Sequence, residues 1–170
     1  RMGGNMVKRL IGDGHKVIGF DIQEENVVRV EKDGAKGVES IEKLVNVLYP
    51  PRHVWVMVPH GEPTRRIVEQ LWDLLASDDL IVDGGNSRYL DSMKLAEECA
   101  KRGIHFLDAG VSGGIWGLKT GYNLMIGGTK EAYQRLEPVF KSLAPENGYA
   151  HVGPPGAGHF VKMIHNAMEY

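Results

Sequence analysis

The stretch "RMGGNMVKRLIGDGHKVIGFD", residues 1–21, carries the decision about the fold. A helix begins at Gly3, in "GGNMVKRLIGDGH", and the β-branched and aromatic run "KVIGFD" (16–21) follows as a strand that stops at Asp21. The same succession then repeats along the chain. "HVWVMV" (53–58), "LIVDGG" (80–85), "IHFLDAGV" (104–111), "YNLMIGG" (122–128) and a short "YAHV" read as strands. Between them "EENVVRVEKDG", "SIEKLVNVLY", "EPTRRIVEQLWDLLA" and "YLDSMKLAEECAKRG" read as helices. Several close on Gly, which easily takes the left-handed conformation after a helix. "TKEAYQRLEPVFKSLA" opens on Thr129 as an N-cap, and "GPPGAG" (153–158) breaks the chain before a last helix. Such alternation predicts an α/β fold with a mainly parallel sheet covered on both faces.

A length of 170 residues suits one domain with a real core, and 42% hydrophobic with 25% charged residues is the balance of a soluble globular protein. A net charge of −2 without a basic run gives no reason to expect nucleic acid. Cys99, the only cysteine, reads as a small buried side chain; it excludes an internal disulfide framework and fits a reducing, cytoplasmic location. No apolar run reaches the ~18 residues of a bilayer span, so no membrane partner is expected. Both ends read as cut: the chain starts inside a glycine-bearing helix start and stops within a helix, as part of a larger protein would.

Gly3 and Asp21 together suggest a ligand. In a Rossmann-like, doubly wound domain a Gly-rich turn leads into a helix whose N-terminus holds a pyrophosphate, and an acidic residue about 20 positions on takes the ribose hydroxyls. Here the spacing is eighteen residues, although the first strand and the first two glycines of that fingerprint are absent. Asp21 has a plainer reading as the cap of the following helix, and a carboxylate can serve both ends. A ribose role favours NAD over NADP, because the carboxylate repels a 2′-phosphate and no Arg follows in "DIQEEN".

Open α/β sheets bind ligands beyond the carboxyl ends of their strands. "VPHGEPT", with Val58 and Pro59, follows the third strand and can line a cofactor. "DGGNS" follows the fourth and delivers Asn86, which both donates and accepts. "GVSGG" follows the fifth, where Ser112 and the amides of Gly113 and Gly114 can make an anion-binding concavity. Each alone is an ordinary turn; three at one end of a sheet are harder to dismiss.

The final "KMIHNAMEY" sets Lys162, His165, Asn166, Glu169 and Tyr170 at offsets 0, +3, +4, +7 and +8, one stripe of a helix. A polar stripe commonly faces water. This one mixes five different functional groups, which suits a substrate with several polar groups. Val161, Ile164 and Met168 form the apolar stripe and are expected in the core.

"MGGN", "DGGNS", "GVSGG" with the glycines and "LM" that follow, and "GAGHFVKMIHNAMEY" together resemble the 6-phosphogluconate dehydrogenases, decarboxylating oxidoreductases of the β-hydroxyacid dehydrogenase superfamily. The similarity runs from Arg1 to Tyr170. The last motif is the most specific, since relatives acting on 3-hydroxyisobutyrate share the lysine and the Ser-Gly loop but not the His-Asn and Glu-Tyr pairs. Ile115 and Trp116 stand where the long form carries acidic residues, so the chain looks like the short bacterial and archaeal form.

The resemblance implies residues 1–153 as the dinucleotide-binding domain, truncated before its first strand, and 154–170 as the start of a helix leading to an all-helical domain that is lacking here. It implies a homodimer or larger assembly through that domain, and a place in the pentose phosphate pathway and gluconate utilization. Cofactor contacts fall at Met2, Gly3, Asp21, Val58, Pro59 and Asn86. Lys162 matches the family's base and Glu169 its acid, about 10 Å apart along the helix backbone. Asn86, Ser112, Gly113, Gly114, His165 and Asn166 match substrate-binding positions, and Tyr170 one that reaches the phosphate. The implied reaction oxidises the C3 hydroxyl, loses C1 as CO2 and protonates the enediol to ribulose 5-phosphate. A base at Lys162 must be neutral with substrate bound, against a free pKa near 10.4. Decarboxylation of a β-keto acid needs no metal, and the seven histidines form no ligand spacing. The isolated 170-residue chain is expected to be inactive. Two other functions remain open: a β-hydroxyacid dehydrogenase with an unphosphorylated, 3-hydroxyisobutyrate-like substrate, and a non-catalytic dinucleotide-binding module. A lysine–glutamate pair argues against the latter, because binding alone requires neither.

Overall fold

A computed structural model describes residues 2–114 and 116–169, with the side chain of Glu169 outside the description. In chain order the elements are α1 (Met2–Gly12), β1 (Ile18–Gly19), α2 (Glu24–Lys32), β2 (Lys36–Gly37), α3 (Ile41–Val47), β3 (His53–Val56), α4 (Glu62–Trp72) and β4 (Leu80–Asp83). There follow α5 (Tyr89–Lys101), β5 (His105–Ser112), α6 (Gly117–Thr120), β6 (Asn123–Gly128), α7 (Lys130–Leu143), β7 (Tyr149–Gly153) and α8 (Ala157–Glu169). The main sheet has the order β3-β4-β5-β6-β7, and β1 pairs with β2 as a separate parallel ladder. All pairs are parallel except β5 with β6. The mainly parallel α/β architecture is therefore as expected.

Alternation along the strands fixes the two faces. Leu80, Val82, Leu107, Ala109 and Val111 join Leu124, Ile126, Leu136 and Phe140 in one core, under α1 and α7. Ile81 and Phe106 point the other way, into a second core with Val54, Val56, Val68, Leu71 and Cys99 under α4 and α5. Strands apolar on both faces are what a doubly wound sheet requires. One local signal begins a helix as expected: Thr129 Oγ1 accepts from Ala132 N at 3.2 Å and so caps the start of α7.

Three local expectations are corrected. The strand read over 16–21 is only Ile18–Gly19, because its ladder is no longer than the two residues of β2, a strand with no apolar run to announce it. Asp21 thus lies beyond the strand, and it does not cap α2, whose N-cap is Gln23. Its Oδ1 accepts from Gln23 N at 2.8 Å in a local turn. On α8, Ile164 is 42% and Met168 84% exposed, whereas Lys162 is 8% exposed, so the apolar stripe does not line the core.

Cys99 is fully buried on α5, and Trp72 Nε1–H donates to its sulfur at 3.2 Å. Burial pushes its thiol up to about 11. At pH 8 about one thiol in a thousand would be ionised by that value, and the thiolate is the reactive form. A thiol reagent is therefore expected to leave Cys99 untouched in the native protein and to modify it fully in denaturant, as mass spectrometry would read. Rapid native labelling would contradict this burial.

Candidate active site

The parallel run of β3, β4 and β5 brings the loops after them to one end of the sheet. Two close approaches lock these loops together. A Cβ on Gly85 would lie 2.6 Å from Val58 O, so the loop after β4 crosses the end of β3 where only glycine fits. Asn86, at φ 54°, turns its Oδ1 to accept from Val111 N at 3.3 Å, which ties the same loop to β5. Val58, Asn86 and the Ser112–Gly114 turn thus form one surface. Gly113 has φ 142° and Gly114 φ 47°, both in the region that favours glycine.

α8 crosses that surface. A Cβ on Gly110 would stand 2.5 Å from Lys162 Cβ and 2.9 Å from Gly158 O, so the glycine of β5 is the slot into which the lysine stem packs. Lys162 is consequently buried two residues before Ser112 along β5. On the same helix His165 is half-buried and Asn166 exposed. The expected roles of Glu169 and Tyr170 concern side chains outside the described residues.

Three of the residues expected at the cofactor, Met2, Gly3 and Asp21, lie at the start of α1 and just after β1. α1 begins at Met2, and the amides of its first turn have no carbonyl partners within the helix. Gly3 packs close to Met57, where a Cβ would lie 3.4 Å from its side chain, which draws the helix start to the end of β3. Asp21 is exposed, with one carboxylate oxygen accepting from Gln23 N.

Four residues here have no counterpart in the sequence reading. Asp83 and Asp108 sit on the face of Ile81 and Phe106, both fully buried, the first at the carboxyl end of β4 and the second in the middle of β5. Asp108 Oδ1 accepts from Gly156 N at 2.6 Å and its Oδ2 from His159 N at 2.8 Å. Burial raises the Asp108 carboxyl, and the two amide bonds oppose that shift. His159 Nε2 lies 3.2 Å from Ala109 O and Nδ1 2.8 Å from Ser92 Oγ. A signal for them existed, since carboxylates inside wholly apolar strands such as "LIVD" and "FLDAGV" are costly unless bonded.

Among the described residues one group could bring three ligand atoms to a metal, Asp78, His105 and Glu131. It lies at the opposite end of the sheet, and Arg135 Nη2 already donates to Asp78 at 2.9 Å and to Glu131 at 3.3 Å. No helix among the described residues is long and apolar enough to cross a membrane.

Loop cluster, helix start and strand order together define a nicotinamide-dinucleotide-binding α/β domain. The chain belongs to the 6-phosphogluconate dehydrogenase family: residues 1–153 match the NAD binding domain of 6-phosphogluconate dehydrogenase. It is 40% identical, over its whole length and 56% of the relative, to the NAD(+)-dependent, decarboxylating 6-phosphogluconate dehydrogenase of Haloferax volcanii. Among solved structures it resembles Plasmodium falciparum 6-phosphogluconate dehydrogenase, with a TM-score of 0.91 and 28% identity over 99% of this chain and 38% of that one. A Mycobacterium tuberculosis 3-hydroxyisobutyrate dehydrogenase matches equally well, with a TM-score of 0.91 and 28% identity over 99% of this chain and 56% of the other. The chain spans little more than half the length of the first curated relatives it matches.

Proposed function

We propose that the full-length protein containing this chain oxidises the C3 hydroxyl of 6-phosphogluconate and releases C1 as CO2, leaving ribulose 5-phosphate. The observation that carries this reading is the burial of Lys162 over Gly110, beside the loops of Asn86 and Ser112. Packing against β5 holds the lysine stem in one place beside these loops, and a general base must be positioned in that way to reach the proton it takes. Lys162 takes the hydroxyl proton, and Glu169 returns a proton to the carbon that becomes C1 of the product. Asn86, Ser112, the amides of Gly113 and Gly114, His165 and Asn166 hold the substrate hydroxyls and carboxylate, with Tyr170 at the phosphate. Met2, Gly3, Val58 and Pro59 line the cofactor, which when bound supplies the hydride acceptor. Relatives named for this reaction support the substrate. The 3-hydroxyisobutyrate dehydrogenase likeness favours a second reading with an unphosphorylated substrate. Comparing kcat/KM for the two substrates on the full-length protein decides between them. A preference for 6-phosphogluconate of at least a hundredfold is expected, and the reverse order overturns the proposal.

In this reading residues 1–153 bind the nucleotide, and residues 154–170 lead into a helical domain through which the protein dimerises. The exposed Phe160, Met163, Ile164 and Met168 of α8 support it, since a following domain would cover them. The 170-residue chain alone is then expected to turn over no substrate.

The exposed Asp21 carboxylate, with no Arg in "DIQEEN", supports NAD as the preferred cofactor. Asp21→Ser combined with Ile22→Arg removes the charge repelling a 2′-phosphate and adds a donor for it, at a position that is 90% exposed. That double variant is expected to weaken or reverse the preference in kcat/KM. Equal efficiency of the unmodified protein with NAD and NADP would contradict the assignment.

A further inference from the structure

We propose that Asp108 and His159, backed by Asp83 and Ser92, are positioning residues that clamp α8 in register on β5 and so set the place of Lys162. The clamp begins with an unusual cap. A helix leaves its first amides without partners, and here the carboxylate that satisfies two of them comes from β5 rather than from the chain before the helix. Asp108 therefore fixes the start of α8 to one point on the strand, and its negative charge favours the positive end of the helix. The histidine adds a second point. Ala109 O can only accept, so His159 Nε2 carries a hydrogen and donates it at 3.2 Å. Its Nδ1 bonds Ser92 Oγ at 2.8 Å, which joins α8 to α5. Phe160 packs edge-on against Tyr89 of α5 with ring centroids 5.2 Å apart, on the same seam.

Spacing transmits the clamp to the amine. Gly158, His159 and Lys162 fall on one face of α8, and that face lies on Asp108, Ala109 and Gly110 in turn. A slip of one residue along the helix axis moves Lys162 by ~1.5 Å. A second buried carboxyl group faces the same imidazole. Asp83 Oδ2 is buried without a hydrogen-bond partner and lies 4.0 Å from His159 Nδ1, with Asp108 Oδ2 at 3.9 Å. The imidazole is thus held between two buried carboxyl groups, one on β4 and one on β5.

The test uses the full-length protein with Asp108→Asn, His159→Gln and His159→Leu. Asn puts an NH2 against amides that need an acceptor. Gln keeps a donor in reach of Ala109 O, and Leu keeps none. The kinetic arm rests on the reaction proposed above: kcat should fall by about tenfold to a hundredfold in Asp108→Asn and His159→Leu, since misplacing a catalytic group by ~1 Å can cost about 10²-fold. KM for 6-phosphogluconate and the Kd for NAD should stay within about threefold, and His159→Gln should recover most of the loss. The second arm needs no substrate. Amide exchange over residues 159–164 should quicken by at least about tenfold in the same two variants, while amides of β4 and β5 keep their protection. If wild type fails to oxidise 6-phosphogluconate but the exchange arm holds, the reaction is wrong and the clamp stands. Unchanged kcat with unchanged exchange, or loss of NAD affinity and of exchange protection throughout the sheet, would overturn the clamp.

Discussion

Replacing Lys162 by methionine is expected to slow hydride transfer in the full-length protein by ~10²–10⁴-fold, the range lost with a general acid or base. Methionine matches the buried stem and keeps its contact with Gly110 while removing the only proton acceptor on the side chain. The companion change, Glu169→Gln, should act on a later step. Oxidation should still proceed, but protonation of the enediol should fail, and incorporation of solvent deuterium at C1 of ribulose 5-phosphate would report it. Affinity for 6-phosphogluconate should survive both changes to within about tenfold, because several other groups hold the sugar acid. If both variants turned over normally and lost only affinity, the helix face would be a binding surface and the base would lie elsewhere.

Gly158→Ala is expected to be the most damaging single methyl in the chain. The added Cβ would meet three backbone atoms at once: Met125 O, Asp108 O at 2.5 Å and Gly127 N at 2.8 Å. Backbone on two paired strands cannot rotate aside as a side chain can, so α8 must lift from the sheet. Overpacking of this kind costs about 1–3 kcal/mol or more. At the upper figure the melting temperature of a domain this size should fall by ~6–12 °C. Activity should fall further than stability, since lifting α8 carries Lys162 out of its slot. A variant with unchanged melting and unchanged kcat would mean that α8 does not pack on β5 and β6 as described.

Much of this was legible from residues alone. Runs such as "LIVD" are apolar at both parities, and that alone implies layers on both sides of a parallel sheet. The loops after β3, β4 and β5 could be placed at one end for the same reason, and Asn86 does bond there to Val111 N, one residue before Ser112. Other features depend on tertiary contacts that periodicity does not encode. The reversal of β6 follows from the four-residue α6, too short to carry the chain back for a parallel crossover. Helical periodicity gives the spacing of the stripe on α8 but not its burial, because what admits Lys162 to the interior is the missing side chain of Gly110, fifty-two residues earlier. Asp83, Asp108 and His159 escaped notice although two of them interrupt apolar strands. A carboxylate in such a run asks for a buried partner, and the partner lay on a helix read for other residues.

The central claim is oxidative decarboxylation, and one measurement tests it most directly. The full-length protein would be given 6-phosphogluconate labelled with carbon-13 at C1, together with NAD. Labelled CO2 and NADH are expected in equal amounts, with ribulose 5-phosphate as the remaining product. NADH formed without labelled CO2, or no NADH at all from this substrate, would contradict it.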